Sequence, residues 1–518
     1  MTHLLTGAPP SRPHVSVPEG GGAPHASPAL RYWTRLLPAL VALVCVTRAP
    51  SFTRPLWNPD EGYLAVQARM LAHGGTLYET VVDRKPPLVP WLYEGVFALF
   101  GSDSLTPVRV CALAAHVVTA ALLASLARRR WGDTAGRTAG ILYVLLSIGL
   151  NPEDTQAATF EVFMLPWTAA AMWCADRRRW GWCGLAIAGA FLAKQTGAAV
   201  LLPVVWMWWR SGRPRRGALC LPLGLAAPVL AAALATHPAG FVFWTVTGSG
   251  AYAAVTGSEL HVLVRGLTNA AILAVACAGV LPPLARMLRV ARTGCADLYL
   301  WLASSTAAVV FGFHFFGHYY LQLVPPLALL GALALRILSR EHRTRALLVS
   351  ACCGALFVSW GLLAPRTELD HAERVAAALH ERTSPDDRVL IWGMHPETYW
   401  LTNRTPASRY LTAGLLTNFS GGRDGGGVGE RFAVAGSWDT FRAEVRGRPP
   451  TVIVDDSRGA PYGPGRVRSL RDVLGAYREV ARVDGAVVYE RAQPGAAGPR
   501  SRPAPGTSSP TPGSRGRP

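Results

Sequence analysis

Over its first two thirds the chain alternates apolar runs with short polar connectors, and these runs set the expected architecture. Spans are expected at residues 32–47, 105–127, 138–150, 162–175, 182–193, 197–209, 218–236, 262–283, 298–313, 319–335 and 346–363. A helix needs roughly 20 apolar residues to cross a bilayer, and several runs are shorter, so the total of about eleven has soft ends. The run 88–100 is too short to cross. With Trp91, Leu92, Phe97 and Leu99 set around Glu94, it is expected to lie in the interface, inside an outer loop that extends over residues 48–106.

From Arg366 the pattern changes to that of a small α/β domain, residues 366–492. A helical period covers 368–382, buried-type strands 388–392 and 451–454, and helices 438–445 and 467–477. Strands 479–483 and 486–489 should pair across Asp484-Gly485. Residues 418–429 form a glycine-rich loop without the strand-loop-helix setting of a nucleotide site. Residues 1–30 and 493–518 are rich in Pro, Gly, Ser or Arg and read as disordered tails. The expected fold is therefore mainly α: a polytopic membrane domain, residues 31–365, carrying a C-terminal α/β domain.

Composition agrees: half of the 518 residues are hydrophobic, 16% are charged and the mean hydropathy is +0.23, as for a multispanning membrane protein. The net charge of +19 would suggest nucleic acid in a soluble chain. Here, however, arginines gather in the connectors, as at Arg128-Arg129-Arg130, Arg177-Arg178-Arg179 and Arg336 to Arg345, in alternation with connectors nearly free of base. Positive charge stays on the cytoplasmic side, so this alternation puts the N-terminus inside and the C-terminal domain outside, and nucleic acid drops out. The nine cysteines lie in or beside apolar runs without a CxxC spacing, which argues for packing roles. The arginine and alanine bias points to a GC-rich bacterial source, and the plasma membrane is the expected location of the multispanning chain.

Only two of the fifty-one basic residues are lysines, Lys85 and Lys194. Lys85 follows the stretch Asn58-Pro59-Asp60-Glu61-Gly62-Tyr63 within the same outer loop. Asn58, Pro59 and two acids read as a helix start, expected to run to His73 and stop at Gly74-Gly75. Glu61 sits in capping-box position, three residues after Asn58. Further polar residues collect on the outer face: Asp83, Glu161, Lys194, Gln195, His314, His318, Tyr319, Tyr320 and Gln322. Glu153 and Asp154 are expected to face water, and Glu161 and Lys194 are also placed to neutralise each other. Ionisable groups at membrane depth are costly and usually mark a site. Carboxylates beside cations suit a phosphorylated substrate, with lysine on phosphate and a carboxylate taking a hydroxyl proton. A divalent metal is compatible with these groups, but no ligand spacing argues for one.

The Asn58-to-Tyr63 stretch, Asp83-Arg84-Lys85-Pro86-Pro87, Glu161-Val162-Phe163-Met164-Leu165-Pro166, Ala193-Lys194-Gln195-Thr196-Gly197 and His318-Tyr319-Tyr320-Leu321-Gln322-Leu323-Val324-Pro325-Pro326 together resemble the bacterial branch of the GT-C membrane glycosyltransferases. That group includes protein O-mannosyltransferases and the lipid A aminoarabinose transferases. The resemblance implies an inverting transfer from a polyprenyl-phosphate sugar to an acceptor hydroxyl on protein, lipid or glycan at the outer face. It makes Asp60 the general base and Glu161 a second acid. Lys85, Lys194 and His318 then fall near the donor phosphate, and Glu61, Tyr63, Tyr319, Tyr320 and Gln322 among the residues lining the substrate site. Competing classes are a transporter or lipid-linked sugar flippase, and a non-catalytic sensor. Transporters usually show internal repeats and broken helices, neither of which is evident in the sequence.

Overall fold

The structure is a computed structural model that describes residues 28–248, 259–290, 294–311, 313–419 and 427–492. The two tails and the centre of the glycine-rich loop lie outside the described residues. Six described helices are long and apolar enough to cross a membrane, and shorter apolar helices lie at Leu88–Phe100, Trp180–Ala193 and Ala296–Phe311. Eight helices build the part that holds the site: α1 (Pro28–Arg48), α2 (Pro59–Ala72), α3 (Leu88–Phe100), α4 (Thr106–Trp131), α5 (Asp133–Ser147), α6 (Pro152–Thr155), α7 (Phe160–Asp176) and α8 (Trp180–Ala193).

Helix α2 starts where its local chemistry dictates. Asn58 is extended and its side chain accepts from the Asp60 amide, Pro59 occupies the first helical position, and both acids fall in the first turn. The helix ends at Ala72, beyond which Gly74 takes a φ of +86°, a left-handed conformation that glycine adopts without strain. After Lys85, Pro86 and Pro87, α3 begins with the bounds its hydropathy indicates.

Two of the expected spans, 197–209 and 319–335, open as 3-10 turns rather than as α-helix. Helix α8 stops at Lys194, whose backbone is extended, and the chain continues as a 3-10 turn, Gln195–Val200, before helix Leu201–Arg210. The run 319–335 opens with a second 3-10 segment, Gly317–Leu323, ahead of helix Val324–Arg336. Just before it, Phe313 and Phe315 both have positive φ, +46° and +50°. Bulky residues in that region are strained, and such strain concentrates where the surroundings fix the backbone for function. Non-helical backbone at membrane depth is tolerated where it is buried in protein or lines a cavity, and both segments lie on the side that carries Asp60.

The C-terminal domain is a five-stranded sheet ordered β2-β1-β3-β5-β4, with β1 (Arg388–Trp392), β2 (Thr405–Pro406), β3 (Val452–Asp455), β4 (Tyr477–Val483) and β5 (Ala486–Arg491). Strand β1 runs parallel to β2 and β3, while β5 is antiparallel to β3 and β4. The hairpin over Asp484-Gly485 forms as expected, but Tyr477 opens β4 rather than closing a helix, which ends at Leu474. The domain sits directly on α2. At Gly62 an added Cβ would lie 2.5 Å from Glu397 Cβ, so only glycine permits helix Glu397–Thr402 to approach this closely. Arg54 to Asp370 at 2.6 Å and Arg69 donating to the Trp400 carbonyl at 3.2 Å complete the seam. The α2 helix is thus held by the C-terminal domain together with α3, α4 and α6.

Candidate functional site

The first two acids of α2 part company. Glu61 is fully buried and accepts from Arg109 Nη2 and Nε at 2.8 and 3.2 Å, from the Ala158 amide at 2.8 Å and from the Trp57 amide at 3.2 Å. The expected capping box therefore does not form: the carboxylate reaches the amide of Trp57 rather than that of Asn58 because Arg109, from within α4, draws it inward. With all of these donors on it, Glu61 is a structural pin between α2, α4 and the start of α7, and not the substrate contact that the resemblance implied.

Asp60 points elsewhere. It is half-buried, and among the described residues its carboxylate accepts no hydrogen bond and makes no ion pair. Burial raises its pKa above the usual carboxylate value; His318 opposes that, Glu161 adds to it, and then come Lys85 lowering and Asp154 raising. These four side chains come from four separated segments of the chain, so the field at Asp60 identifies what the fold gathers around it.

Lys85 is held by its own loop. Tyr78 Oη donates to its carbonyl at 2.9 Å, and Gln195 Nε2 donates to the preceding Arg84 carbonyl at 2.6 Å and to the Thr245 carbonyl at 3.2 Å. Asp83 is buried and accepts from Gln67 Nε2 at 3.0 Å. The ammonium of Lys85 stands 5.9 Å from the centre of the Phe160 ring and, among the described residues, has no carboxylate partner. Lys194 is the opposite case: it is buried, ion-paired to Glu161, and 3.9 Å over the Tyr319 ring. Of the two lysines, Lys85 is the cation left for an incoming anion.

His318 stands against the same acids. Its Nδ1 donates to Asp154 Oδ1 at 2.8 Å and its Nε2 lies 3.8 Å from Glu161 Oε1. Tyr319 faces Lys194 as described, and Tyr320 is committed to the Gly266 carbonyl at 2.8 Å. Gln322 donates to the Tyr319 carbonyl at 3.1 Å, and Tyr63 Oη reaches the Val82 carbonyl at 3.4 Å. Asp60, Lys85, Glu161, Lys194, His318 and Tyr319 therefore share one site. Tyr320 and Gln322 brace its backbone, and Tyr63 braces the Lys85 loop. Among the described residues no group of three histidines, cysteines or acids has the geometry to hold a metal.

Asp154 was expected to face water, but it turns inward to His318. The sequence carried a usable sign. Asn151-Pro152-Glu153-Asp154 repeats the Asn-Pro-acid-acid order of Asn58-Pro59-Asp60-Glu61, and it folds the same way, Asn151 accepting from the Glu153 amide at 3.3 Å. The two turns are tied together: Asn58 Nδ2 donates to the Glu153 carbonyl at 3.0 Å and Trp57 Nε1 to the Pro152 carbonyl at 2.9 Å. Arg109 carried no such sign, being a lone arginine inside an apolar span.

An apolar cleft of about 380 Å³ lies between α3, α4 and α7, lined by Leu88, Leu92, Ala115, Val118, Phe163 and Trp167 among others. The chain thus leads from the Lys85 loop directly into an apolar cleft, which begins at Leu88 three residues further on.

Residues 84–244 match the dolichyl-phosphate-mannose-protein mannosyltransferase family. No curated protein matches the chain in sequence. Among solved structures, ArnT from Cupriavidus metallidurans bound to undecaprenyl phosphate superposes with a TM-score of 0.60 at 16% identity, over 90% of this chain and 99% of that one. The same protein in the apo state gives 0.60 at 18% identity, over 89% and 98%. An oligosaccharyltransferase from Archaeoglobus fulgidus, tethered to an acceptor peptide, gives 0.45 at 11% identity, over 89% and 75%. The chain is a multi-pass membrane protein with the GT-C glycosyltransferase fold, as the sequence motifs implied.

Proposed function

We propose that this GT-C protein is an inverting glycosyltransferase of the outer face of the plasma membrane, moving a sugar from a polyprenyl-phosphate donor to an acceptor hydroxyl. The observation that carries this reading is that Lys85 and Asp60, neither with an ion-pair partner among the described residues, act on one another, with an apolar cleft starting at Leu88 three residues after the lysine. A compact ammonium suits a single phosphate oxygen, and an apolar groove suits an isoprenoid chain. ArnT of similar fold binds undecaprenyl phosphate, which fits the same pair of features.

In the reaction, the acceptor oxygen attacks C1 of the sugar from the face opposite the phosphate. The C1–O bond to phosphate breaks, its electron pair stays on the phosphate oxygen, and Asp60 takes the hydroxyl proton. Lys85 binds the phosphate and offsets the charge that develops on it. Glu161 neutralises Lys194 and keeps that ammonium over Tyr319, so that the second lysine shapes the cavity.

The test uses the full chain in nanodiscs with a panel of radiolabelled polyprenyl-phosphate sugars and envelope acceptors. Asp60→Asn should lower transfer by about 10²- to 10⁴-fold, the range of a positioned general base, with donor binding retained. Transfer at the wild-type rate by the Asp60→Asn variant sinks the assignment.

A further inference from the structure

The resemblance put His318 with the donor phosphate and left Asp154 in water, yet the geometry ties the two to each other. Asp154 holds Nδ1 of the imidazole at 2.8 Å, and the short α6 turn brings its carboxylate so close that a Cβ at Gly317 would collide with Asp154 Oδ2. The ring is clamped on its faces as well: Phe316 stacks on it at 5.8 Å and 10°, and Tyr319 meets it edge-on at 4.9 Å. Only Nε2 is left to face the site, 3.8 Å from Glu161. Three carboxylates therefore act on one histidine, Asp154 from α6, Glu161 from α7 and Asp60 from α2. The cation acting on it is Lys194 at the end of α8, while Lys85 acts on Asp60 and Arg265 lies against the Phe316 ring.

We propose that Asp154 is a positioning residue which, by holding Nδ1 of His318, fixes the imidazolium with Nε2 inward as a positive charge acting on Asp60 and Glu161, rather than as a ligand of the donor phosphate. Glu161 already has Lys194, so the charge of His318 serves mainly to keep Asp60 ionised in a half-buried place. This agrees with His318 being the strongest influence opposing the effect of burial on Asp60. Held by Asp154 at Nδ1 and with Nε2 3.8 Å from Glu161, the ring stands among carboxylates, the setting in which its charge acts on a base. The proton balance is simple: the acceptor proton moves to Asp60 at each turnover and leaves to water afterwards, and His318 keeps its own proton throughout.

This inference rests on Asp60 being the base, and the experiment separates the two. With the donor and acceptor pair identified from the panel above, kcat and KM are measured against pH for the wild type, Asp154→Asn, His318→Gln and the double variant. Undecaprenyl phosphate binding to each is measured in parallel. Loss of the imidazolium should move the acidic limb of kcat to higher pH in His318→Gln and lower kcat about tenfold at neutral pH, with undecaprenyl phosphate affinity within about twofold of wild type. Asp154→Asn should show the same shift in weaker form and add little to His318→Gln in the double variant, because residues acting through one group are not additive. The proposal is overturned if either single variant keeps the wild-type pH profile, if the effects add fully, or if undecaprenyl phosphate affinity falls in step with kcat. An inactive Asp60→Asn beside an unshifted His318→Gln rejects this inference alone; an active Asp60→Asn rejects the base itself.

Discussion

Neutralising Glu61 tests whether the second acid of α2 is structural. Its carboxylate takes two hydrogen bonds from Arg109 and one each from the amides of Ala158 and Trp57, while Arg109 also donates to the carbonyls of Ser51, Arg54 and Pro55 at 2.5, 2.8 and 3.0 Å. Both side chains are buried, at 0% and 3% exposure, so Glu61→Gln leaves the guanidinium without its counter-charge and puts an amide nitrogen against donors. Breaking one side of such a buried pair costs about 3–5 kcal/mol, whereas removing both charges together is often close to neutral. Glu61→Gln should therefore lower the thermal midpoint of the detergent-solubilised protein clearly, and adding Arg109→Met should recover only part of that loss, because it also strips the Ser51, Arg54 and Pro55 carbonyls of their donor. Undecaprenyl phosphate affinity, measured on the folded fraction, should stay near wild type in both. A Glu61→Gln variant of wild-type stability that no longer binds undecaprenyl phosphate would refute the structural assignment and return Glu61 to the substrate site.

Three further outcomes follow from the same geometry. Gly62→Ala would place a methyl group 2.5 Å from Glu397 Cβ and 2.7 Å from its Cα, a clash with backbone that neither helix relieves by side-chain rotation. Overpacking of this kind costs about 1–3 kcal/mol, and faster hydrogen exchange at both α2 and helix Glu397–Thr402 should report the loosened seam. Lys85→Ala should weaken undecaprenyl phosphate binding by about tenfold or more, with Lys85→Arg in between, as expected for one ammonium on one phosphate; equal affinities in all three proteins remove the phosphate role. His395 sits beside that seam, where burial opposes its charge but the hydrogen bond to Glu397 and the charges of Glu397 and Asp456 outweigh it, so its pKa is raised. A raised histidine stabilises the fold fully below its unfolded pKa of about 6.5, and the contribution fades as pH climbs through the higher folded value. Thermal melts of the wild type should therefore lose stability from neutral to mildly alkaline pH, a slope that His395→Ala should flatten.

The parts legible in the sequence were those whose cause is local. Asn58-Pro59 ahead of two acids and Gly74-Gly75 behind them fixed both ends of α2, and the hydropathy of residues 88–100 matched α3. In the sheet, 388–392 read directly as β1 because a central strand needs a continuous apolar run. What escaped depends on distant partners. Hydropathy marks pauses at 194–196 and 314–318 but not that the spans after them open as 3-10 turns, which tertiary contacts around Glu161, Asp154 and Gly266 impose. The roles of Glu61 and Asp154 were hidden for the same reason. Each sits in a helix-start pattern that explains an acid locally, and only Arg109 on α4 and His318 on the late 3-10 segment decide which way the side chain turns.

Asp60 and Lys85 must serve one substrate, and cryo-electron microscopy of the protein in nanodiscs with a non-transferable polyprenyl-phosphate sugar analogue tests this most directly. The expected density places the phosphate within hydrogen-bond reach of Lys85 Nζ, the isoprenoid in the cleft lined by Leu88, Leu92 and Phe163, and sugar C1 on the side facing the Asp60 carboxylate. Density that puts the phosphate on Arg109 or Lys194, or the sugar remote from Asp60, contradicts it.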